Sequence, residues 1–525
     1  MSGKRKCGMD NPLVVAAKEN GRYVPMESKQ ECVPGREYVD TGSLEGIRIY
    51  RDSLVFVLIK AVHDLYPGRK LKVHYSISKG SFCDFPGQQA DRGEIEKIKE
   101  RMQELIRQDI PIEKHVFPRE KAIGILLENN KTETAEILED LGGEQVELYT
   151  IGSLHGYFHS QLAPSTGYVG IFDIRLYAPG FILFYPTRFN PFQLPPFQEQ
   201  KKLFQVFREF SEWGSILNSD DVASINRQVS TGTVKELILV NEALHEKKVA
   251  YIAERVKKTK KTFIMIAGPS SSGKTSFASR LRIQLKAGGI HSSIISLDDY
   301  YRDRNTIPEG PDGEQDLEAL DALDVDLFNN NMQELLQNRQ ALVPAYDFLT
   351  QNRKKEYRSI RMEEGDVILI EGIHALNPRM VRSINPIHVY KIYISALTSI
   401  NIDDHNRFST TDSRLIRRIT RDIRYRGASV EKTILMWPSV RRGEDLYIFP
   451  FQEHADIMFN SALIYEHGVL KKIIQPLLEE VPPESPAFTE ARRLLEILSF
   501  FREMDDCCIS GTSLLREFIG GSHLI

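Results

Sequence analysis

A phosphate-binding loop between a buried strand and a helix constrains this chain more than any other feature. The apolar run Phe263–Ala267 predicts a buried strand, and Gly268–Thr275 follows it with the sequence GPSSSGKT. The helical pattern Phe277–Leu285 comes next, so every position of the G-x-x-x-x-G-K-[ST] motif is filled in the strand–loop–helix context that it requires. The sequence therefore predicts that the second half of the chain binds ATP or GTP.

Each part of this loop has a physical role in holding a polyphosphate. Glycines let backbone N–H groups approach the phosphates, and the start of the following helix adds a dipole that favours anions. We expect Lys274 to reach the β- and γ-phosphates and the Thr275 hydroxyl to bind Mg²⁺. The predicted nucleotide-binding residues of this segment are Gly268, Ser270, Ser271, Ser272, Gly273, Lys274, Thr275 and Ser276.

Length, charge and cysteine content limit the classes of protein to which the chain can belong. Its 525 residues are enough for two to four domains. The 68 Lys and Arg residues against 72 Asp and Glu residues exclude a broadly basic polyanion-binding surface, so any nucleic-acid contact must be local. Five cysteines without C-x-x-C spacing, and apolar runs too short to span a membrane, predict a cytoplasmic protein that makes no membrane contact.

The order of predicted elements divides the chain into five parts. Residues 1–45 form a small irregular module, and residues 46–196 form an α+β domain that ends in a proline-rich segment. Residues 197–258 are predicted to be a helical connector, and residues 481–525 a helical tail. Between them, over 259–480, strands alternate with helices. The predicted fold class is therefore α/β, with a parallel sheet covered by helices on both faces and preceded by an α+β domain.

Carboxylates follow two strands of the predicted parallel sheet. Asp298 and Asp299 come directly after the strand-like run Ile294–Leu297, and Glu371 lies at the end of Asp366–Gly372. The carboxyl ends of parallel strands form the edge at which α/β proteins bind ligands. There, Asp298 is expected to accept the proton of an attacking hydroxyl, and both carboxylates to help hold Mg²⁺. The alternatives are a helix-capping Asp298 and a surface-exposed Glu371.

A segment rich in arginine is predicted to form a lid. Asp412–Gly427 reads DSRLIRRITRDIRYRG and places Arg414, Arg417, Arg418 and Arg421 at helical spacing. Several guanidinium groups on one helix face suit a lid that closes over a polyphosphate and neutralises the charge of the transferring phosphoryl group. A solvated helix face and an RNA-contacting helix are the alternatives.

Together these motifs resemble those of the uridine kinase and phosphoribulokinase family. The similarity runs from Ile264 to about Asn460, and includes GPSSSGKT, DDYY, DLEALDALD, PAYDF, IEGIHALN, the arginine-rich lid and HADIMFNS in this order. The resemblance implies a P-loop kinase that uses ATP and Mg²⁺ to phosphorylate a primary hydroxyl, which in nucleoside kinases is the ribose 5′-hydroxyl. It leaves a kinase for another sugar alcohol and an ATP-gated RNA-binding regulator as alternatives.

The resemblance also implies roles for individual residues. Asp298 corresponds to the catalytic aspartate, and Asp299, where the family has serine, is a second candidate base. Glu318 takes the place of an aspartate that holds the ribose hydroxyls, and Tyr346 matches a tyrosine beside the base. The implied catalytic residues are Asp298, Lys274, Arg418 and Arg421; the implied substrate-binding residues are Asp299, Tyr301, Glu318, Tyr346, Gln351 and Arg418; and Arg426 and Asp456 are placed near the nucleotide.

The positions that would read the base differ from those of uridine kinases. Gln351 stands in place of a histidine that reads the pyrimidine, Ala428 in place of an arginine, and Met436 in place of a glutamine. A buried polar group left without its partner costs about 1–3 kcal/mol, so a changed pocket need not prefer the same base. A nucleoside is therefore the expected acceptor class, and uridine is only the default.

The first half of the chain resembles the second additional, editing-like domain of threonyl- and alanyl-tRNA synthetases. The similarity spans Glu45–Pro186 and rests on His155–His159 and Pro164–Tyr168. Phe158 and Leu162 stand where metal-binding members of that family have Cys and His, so we expect no editing by a bound metal. His155 and His159 are expected to be packed in the protein or to face solvent. The first half of the chain is a candidate for binding RNA, a regulator or a sister subunit in a homo-oligomer.

Overall fold

The computed structural model describes residues 12–19, 21–26, 35–307, 315–347, 350, 352–398 and 400–524. Within these residues the chain forms two compact units. Unit 1 contains the chain up to residue 200 together with 220–227 and 399–408, and unit 2 contains 201–219, 228–398 and 409–525. Gln351, one of the predicted substrate-binding residues, lies outside the described residues. None of the helices in the described ranges has the length and apolar character needed to cross a bilayer.

Unit 1 is an α+β structure whose core surrounds one apolar helix. That helix, α1 (Leu44–Leu65), starts where the Ser43 side chain accepts the N–H of Gly46. Residues 54–59 are buried in succession, so this stretch is apolar on every side and lies inside the core. The strands of unit 1 are β1 (Val14–Glu19), β2 (Arg22–Val24), β3 (Glu37–Asp40), β4 (Lys72–Ile77), β5 (Gly80–Asp84), β6 (Ile112–Pro118), β7 (Gln145–Ile151), β8 (Leu154–Gly156), β9 (Asp173–Tyr177) and β10 (Gly180–Phe184).

Three antiparallel sheets complete unit 1. Their strand orders are β2-β1-β3, β4-β5-β10-β9 and β6-β7-β8. The remaining helices are α2 (Arg92–Arg107), α3 (Arg119–Glu128) and α4 (Thr132–Asp140). In α2, Asp91 and Glu94 form a capping box, and the buried residues recur at the spacing of one helix face. α2 covers one side of the core around α1, whereas α3 and α4 pack with β7 in a second, smaller core.

Unit 2 is built on a five-stranded parallel sheet with the strand order β12-β17-β11-β18-β19. Its strands are β11 (Phe263–Ala267), β12 (Ser292–Ser296), β13 (Gln340–Val343), β14 (Tyr346–Asp347), β15 (Asn352–Arg353), β16 (Arg358–Arg361), β17 (Val367–Glu371), β18 (Val389–Ser395) and β19 (Ile457–Asn460). β13 pairs with β16 and β14 with β15, outside the main sheet. β11 is the central strand of the main sheet and is buried along its whole length, as expected of a strand covered on both faces.

The helices of unit 2 precede, cover and follow this sheet. They are α5 (Lys201–Ile216), α7 (Val234–Thr259), α8 (Lys274–Ala287), α9 (Val325–Asn338), α10 (Thr410–Tyr425), α11 (Val430–Tyr447), α12 (Glu466–Glu479), α13 (Phe488–Ser499) and α14 (Arg516–Ile519), while α6 (Val222–Thr231) spans the change from one unit to the other. The core of the sheet includes Val249 of α7 and Leu514 just before α14, so the end of the chain is part of this core.

The predicted fold class is confirmed: a parallel sheet with helices follows an α+β unit. The strand predicted at Phe263–Ala267 has the same limits in the structure. Helix limits differ more, because an apolar pattern does not show the polar first turns of a helix. The helix predicted from Phe277 begins at Lys274.

Candidate active site

The backbone of the phosphate loop has the shape that its glycines predict. Gly273 has a φ of 81°, in the left-handed region, and α8 begins at the next residue. A Cβ on Gly268 would lie 2.0 Å from the carbonyl oxygen of Ile394 on β18, so only glycine fits at the exit of β11. The loop therefore stands at the carboxyl edge of the sheet, between its central strand and a helix N-terminus.

Several polar groups of the loop have no partner within the described part of the chain. The hydroxyls of Ser271 and Ser272 are buried and form no hydrogen bond there. The Lys274 ammonium group donates only to the carbonyl of Pro269, at 3.3 Å, so it folds back on its own loop. Buried donors that lack partners cost free energy, and a bound phosphate would satisfy them. The loop thus fits a polyphosphate ligand.

Asp298 and Glu371 lie at the same edge as the loop. Ser296, the last residue of β12, is in register with Glu371, the last residue of β17, and its hydroxyl donates to Glu371 Oε1 at 2.8 Å. Burial raises the pKa of Glu371 to about 7, and the negative charge of Asp298 adds to this shift while Lys274 opposes it. The three charged groups therefore interact at one place.

Asp298 is available to a ligand. It lies in a short 3-10 turn, Leu297–Tyr300, whose N-cap is Ser296, and no side chain caps that turn. The half-buried Asp298 carboxylate forms no hydrogen bond or ion pair with the described residues. The alternative that Asp298 only caps a helix is thus contradicted. Its neighbour Asp299 is instead engaged, because Asp299 Oδ1 accepts the N–H of Tyr346 at 3.3 Å, and burial raises its pKa.

Glu318 lies within electrostatic range of the same groups. Burial raises the pKa of its carboxyl to about 7, while the positive charges of Arg418 and Lys274 oppose the shift. Gly443 of α11 packs against it, since a Cβ there would lie 2.5 Å from Glu318 Cβ. Nearby, the Tyr301 hydroxyl donates to the carbonyl of Leu317 at 2.9 Å.

Two tyrosines predicted to bind substrate contact each other. The rings of Tyr301 and Tyr346 lie 5.6 Å apart between centroids and are tilted by 50°. Tyr346 is held by Asp299, and Tyr301 by the carbonyl one residue before Glu318. The predicted acceptor-binding residues within the described chain are therefore linked to one another.

Of the predicted lid arginines, Arg418 reaches the phosphate loop. Its Nη1 donates to Ser270 Oγ at 2.7 Å, and its Nε lies 3.2 Å from Asp422 Oδ2. Arg421 and Arg426 also face Asp422, at 2.7 Å and 3.7 Å. A single carboxylate thus gathers three guanidinium groups at the end of α10.

Arg414 and Arg417 do not form part of an open lid, which corrects the expectation for these two of the predicted lid arginines. Arg414 forms a buried bidentate pair with Glu444 of α11, and Arg417 pairs with Glu466 of α12. Glu444 also accepts the N–H of Ser270 at 3.1 Å, and Arg414 donates to the Ser270 carbonyl at 3.3 Å. These two arginines therefore anchor the loop from within the protein.

Asp456 precedes β19 and accepts the N–H of Lys391, at the level of the middle of β11, so it lies away from the carboxyl edge. Its place near the nucleotide stays a prediction. Ser461, just after β19, is instead close to Gly273. The missed residues near the loop are Glu444, Ser461, Glu466 and Glu517. Only Ser461 had a sequence signal, because it follows a buried strand.

His155 and His159 lie in strand and loop, as their aromatic neighbours predicted. His155 is on β8, and His159 Nδ1 is 3.2 Å from Asn406 Oδ1. Asn406 belongs to the later segment of unit 1 and also donates to the carbonyl of Tyr157 at 3.0 Å. Across the described residues, no group of three or more His, Cys, Asp and Glu side chains is placed to hold a metal ion.

Known proteins resemble the two halves of the chain separately. A sequence model of the Phosphoribulokinase / Uridine kinase family matches residues 263–464. The uridine kinase of Staphylococcus epidermidis (strain ATCC 35984) is 31% identical over 198 residues, which are 38% of this chain and 86% of that protein. The chain belongs to the phosphoribulokinase and uridine kinase family. The resemblance stated from the motifs is thereby confirmed, and family members are P-loop small-molecule kinases.

The other half has a different relative. The threonine–tRNA ligase of Fusobacterium nucleatum is 33% identical over 177 residues, and the chain spans 28% of the length of that ligase. Together with the match to the uridine kinase, this match shows that the chain joins a synthetase-like region to a kinase of this family.

A solved structure of a possible uridine kinase from Bacillus stearothermophilus is 19% identical and has a TM-score of 0.29, covering 41% of this chain and 98% of that one.

Proposed function

We propose that the protein transfers the γ-phosphoryl group of ATP to the primary hydroxyl of a nucleoside. The observation that carries the proposal is the convergence of the Lys274 ammonium, the free Asp298 carboxylate and Glu371 at the carboxyl edge of the sheet. Family membership supports phosphoryl transfer to a small molecule. The location in the cytoplasm remains a prediction.

Lys274 and Arg418 act on the phosphates in this proposal. Lys274 leaves the Pro269 carbonyl to contact the β- and γ-phosphates, and Arg418 stands at Ser270 of the loop. Their positive charges stabilise the charge that spreads over the transferring group. Asp298 orients the acceptor hydroxyl and takes its proton as the new P–O bond forms. The ADP oxygen keeps the electrons of the bond that breaks.

The donor set at the edge fits Mg²⁺. Thr275 offers a hydroxyl and Asp298 and Glu371 offer carboxylates, and oxygen ligands are those that Mg²⁺ prefers. The Glu371 carboxylate is buried near the negative charge of Asp298, and a bound cation would compensate both charges. When bound, Mg²⁺ would screen the phosphate charges. These three side chains would hold it.

The acceptor is held by Glu318 and the two tyrosines. A carboxylate can accept hydrogen bonds from two neighbouring ribose hydroxyls, and aromatic rings pack against a planar base. Glu318, Tyr301 and Tyr346 supply these features. A nucleoside has both ribose hydroxyls for the carboxylate and a base for the aromatic rings. A sugar alcohol without a base would leave the tyrosine pair without a ligand.

The proposal predicts the outcome of an acceptor panel. Purified protein with ATP and Mg²⁺ should convert at least one of uridine, cytidine, adenosine and guanosine to its 5′-monophosphate, as detected by chromatography. The matched 5′-deoxynucleosides lack the reacting hydroxyl and should give no product. Consumption of a sugar alcohol but of no nucleoside would contradict the acceptor class. ATP hydrolysis that only RNA stimulates would favour the regulatory alternative.

The raised pKa of Glu318 predicts that acceptor binding depends on pH. With a pKa of about 7, the carboxyl is mostly neutral at pH 6 and mostly ionised at pH 8. The ionised form accepts stronger hydrogen bonds, so KM for the nucleoside should fall about five-fold over this range. The same ionisation should weaken the stability of the fold while it strengthens nucleoside binding. Because the pKa of Glu318 is raised in the folded protein, its ionisation lowers the free energy of unfolding as pH rises through 7.

Glu318→Gln separates this effect from those of other groups. Its KM should be higher than that of the wild type at pH 8 and nearly independent of pH. Its kcat at saturating nucleoside should depend on pH in the same way as that of the wild type. A pH-dependent KM in the Gln variant would show that Glu318 is not the responsible group.

A further inference from the structure

A carboxylate from the end of the chain contacts the start of α8. Glu517 of α14 accepts a hydrogen bond from Ser276 Oγ at 2.7 Å and one from the Ser276 N–H at 3.3 Å, both on Oε2. The same oxygen would be 4.0 Å from a Cβ on Gly273, so it also lies beside the last residue of the phosphate loop.

The donors that Glu517 occupies are of the kind that bind phosphate. The first helical hydrogen bond of α8 runs from the Phe277 N–H to the Gly273 carbonyl, so the Ser276 N–H has no carbonyl partner in the helix. In a loop of this type, the N–H groups at the helix start cradle the α- and β-phosphates of a nucleotide. Glu517 thus supplies an anion where a nucleotide phosphate needs the same donors.

The contact is built into the fold. Leu514 belongs to the core of the parallel sheet, and Phe518 is fully buried. The Arg417 guanidinium lies over the Phe518 ring at 5.0 Å, and Ser513 donates to Glu242 of α7 at 2.5 Å. The segment is therefore held by packing and hydrogen bonds on either side of Glu517. These contacts keep its carboxylate at the loop.

We propose that Glu517 is a specificity-determining residue of the nucleotide site, which lowers its affinity for ligands that carry an α-phosphate. This inference rests on the proposed ATP-dependent function. A nucleotide must take the two Ser276 donors from Glu517 and approach its negative charge, and both effects weaken binding. A nucleoside without phosphate does not meet this competition. The weakened site favours release of ADP after phosphoryl transfer.

The test is the Glu517→Gln variant of the full chain. Glutamine keeps the size and one oxygen acceptor, so the fold is retained while the charge is removed. Calorimetric titration should show ATP and ADP binding about ten-fold more tightly than to the wild type. Binding of adenosine should be unchanged. Glu517→Asp, whose carboxylate is one methylene shorter and cannot reach Ser276, should also bind ATP more tightly.

The matched control is Glu503→Gln, which removes an exposed carboxylate from the same C-terminal region. Its nucleotide affinity should equal that of the wild type. Equal ATP affinity in the wild type and both Glu517 variants would overturn this inference alone. An equal gain for adenosine would also overturn it, because the effect would not depend on phosphate. If the wild type binds no ATP, the proposed function itself fails.

Discussion

Replacement of Asp298 by asparagine should reduce the rate of phosphoryl transfer about 10²–10⁴-fold while ATP still binds. The Asp298 carboxylate is the one carboxylate of the pair at the end of β12 that has no partner in the described structure, so it is free to take the acceptor proton. Asparagine has nearly the same shape but cannot accept that proton. The measurement is kcat with the best acceptor of the panel, together with the ATP dissociation constant.

Asp299→Asn is the matched control for this prediction. Asp299 already accepts the N–H of Tyr346, so its replacement should alter acceptor binding through Tyr346 and leave most of kcat. A larger loss of kcat in the Asp299 variant than in the Asp298 variant would assign the base to Asp299. The two variants therefore decide between the two neighbouring aspartates.

Replacement of Arg414 by methionine should destabilise unit 2 by about 3 kcal/mol. Arg414 and Glu444 are 1% and 0% exposed, and loss of one partner leaves a buried charge uncompensated. Arg441, whose Nη1 lies 2.7 Å from Glu444 Oε2, keeps the loss at the lower end of the usual range. Both tryptophans of the sequence, Trp213 and Trp437, lie in unit 2, so denaturant unfolding followed by tryptophan fluorescence reports on this unit.

The control for Arg414→Met is Arg424→Met on the same helix, at an exposed position. Its unfolding free energy should change by less than about 0.5 kcal/mol. The double variant Arg414→Met with Glu444→Leu removes both charges and should recover part of the lost stability. Equal destabilisation by the two single arginine variants would contradict an energetic role for the buried pair.

Much of the nucleotide site could be predicted because its residues are close in sequence. Gly268, Gly273 and Lys274 belong to one short loop whose backbone geometry depends on the residues themselves. The positions of Asp298 and Glu371 followed from one further rule, that parallel strands end at a common edge, and the register of β12 with β17 agrees with it.

The sequence could not predict which of the lid arginines form buried ion pairs and which one places its side chain against Ser270. Their helical spacing is the same whether a guanidinium faces solvent, phosphate or the core. Arg414 and Arg417 are buried because Glu444 and Glu466 arrive from other helices, and Arg418 reaches Ser270 because α10 packs near the loop. None of these partners is near in sequence.

Local conformation and strand direction are enough to predict the phosphate loop, the parallel sheet and the edge at which two carboxylates stand, so these features can be read from the sequence. Three other features appear only in the folded chain: residues 400–408 belong to unit 1, Arg414 and Arg417 form interior ion pairs, and Glu517 contacts Ser276. Such contacts join residues far apart along the chain. Packing and the pairing of buried charges select them, and no sequence spacing records that selection.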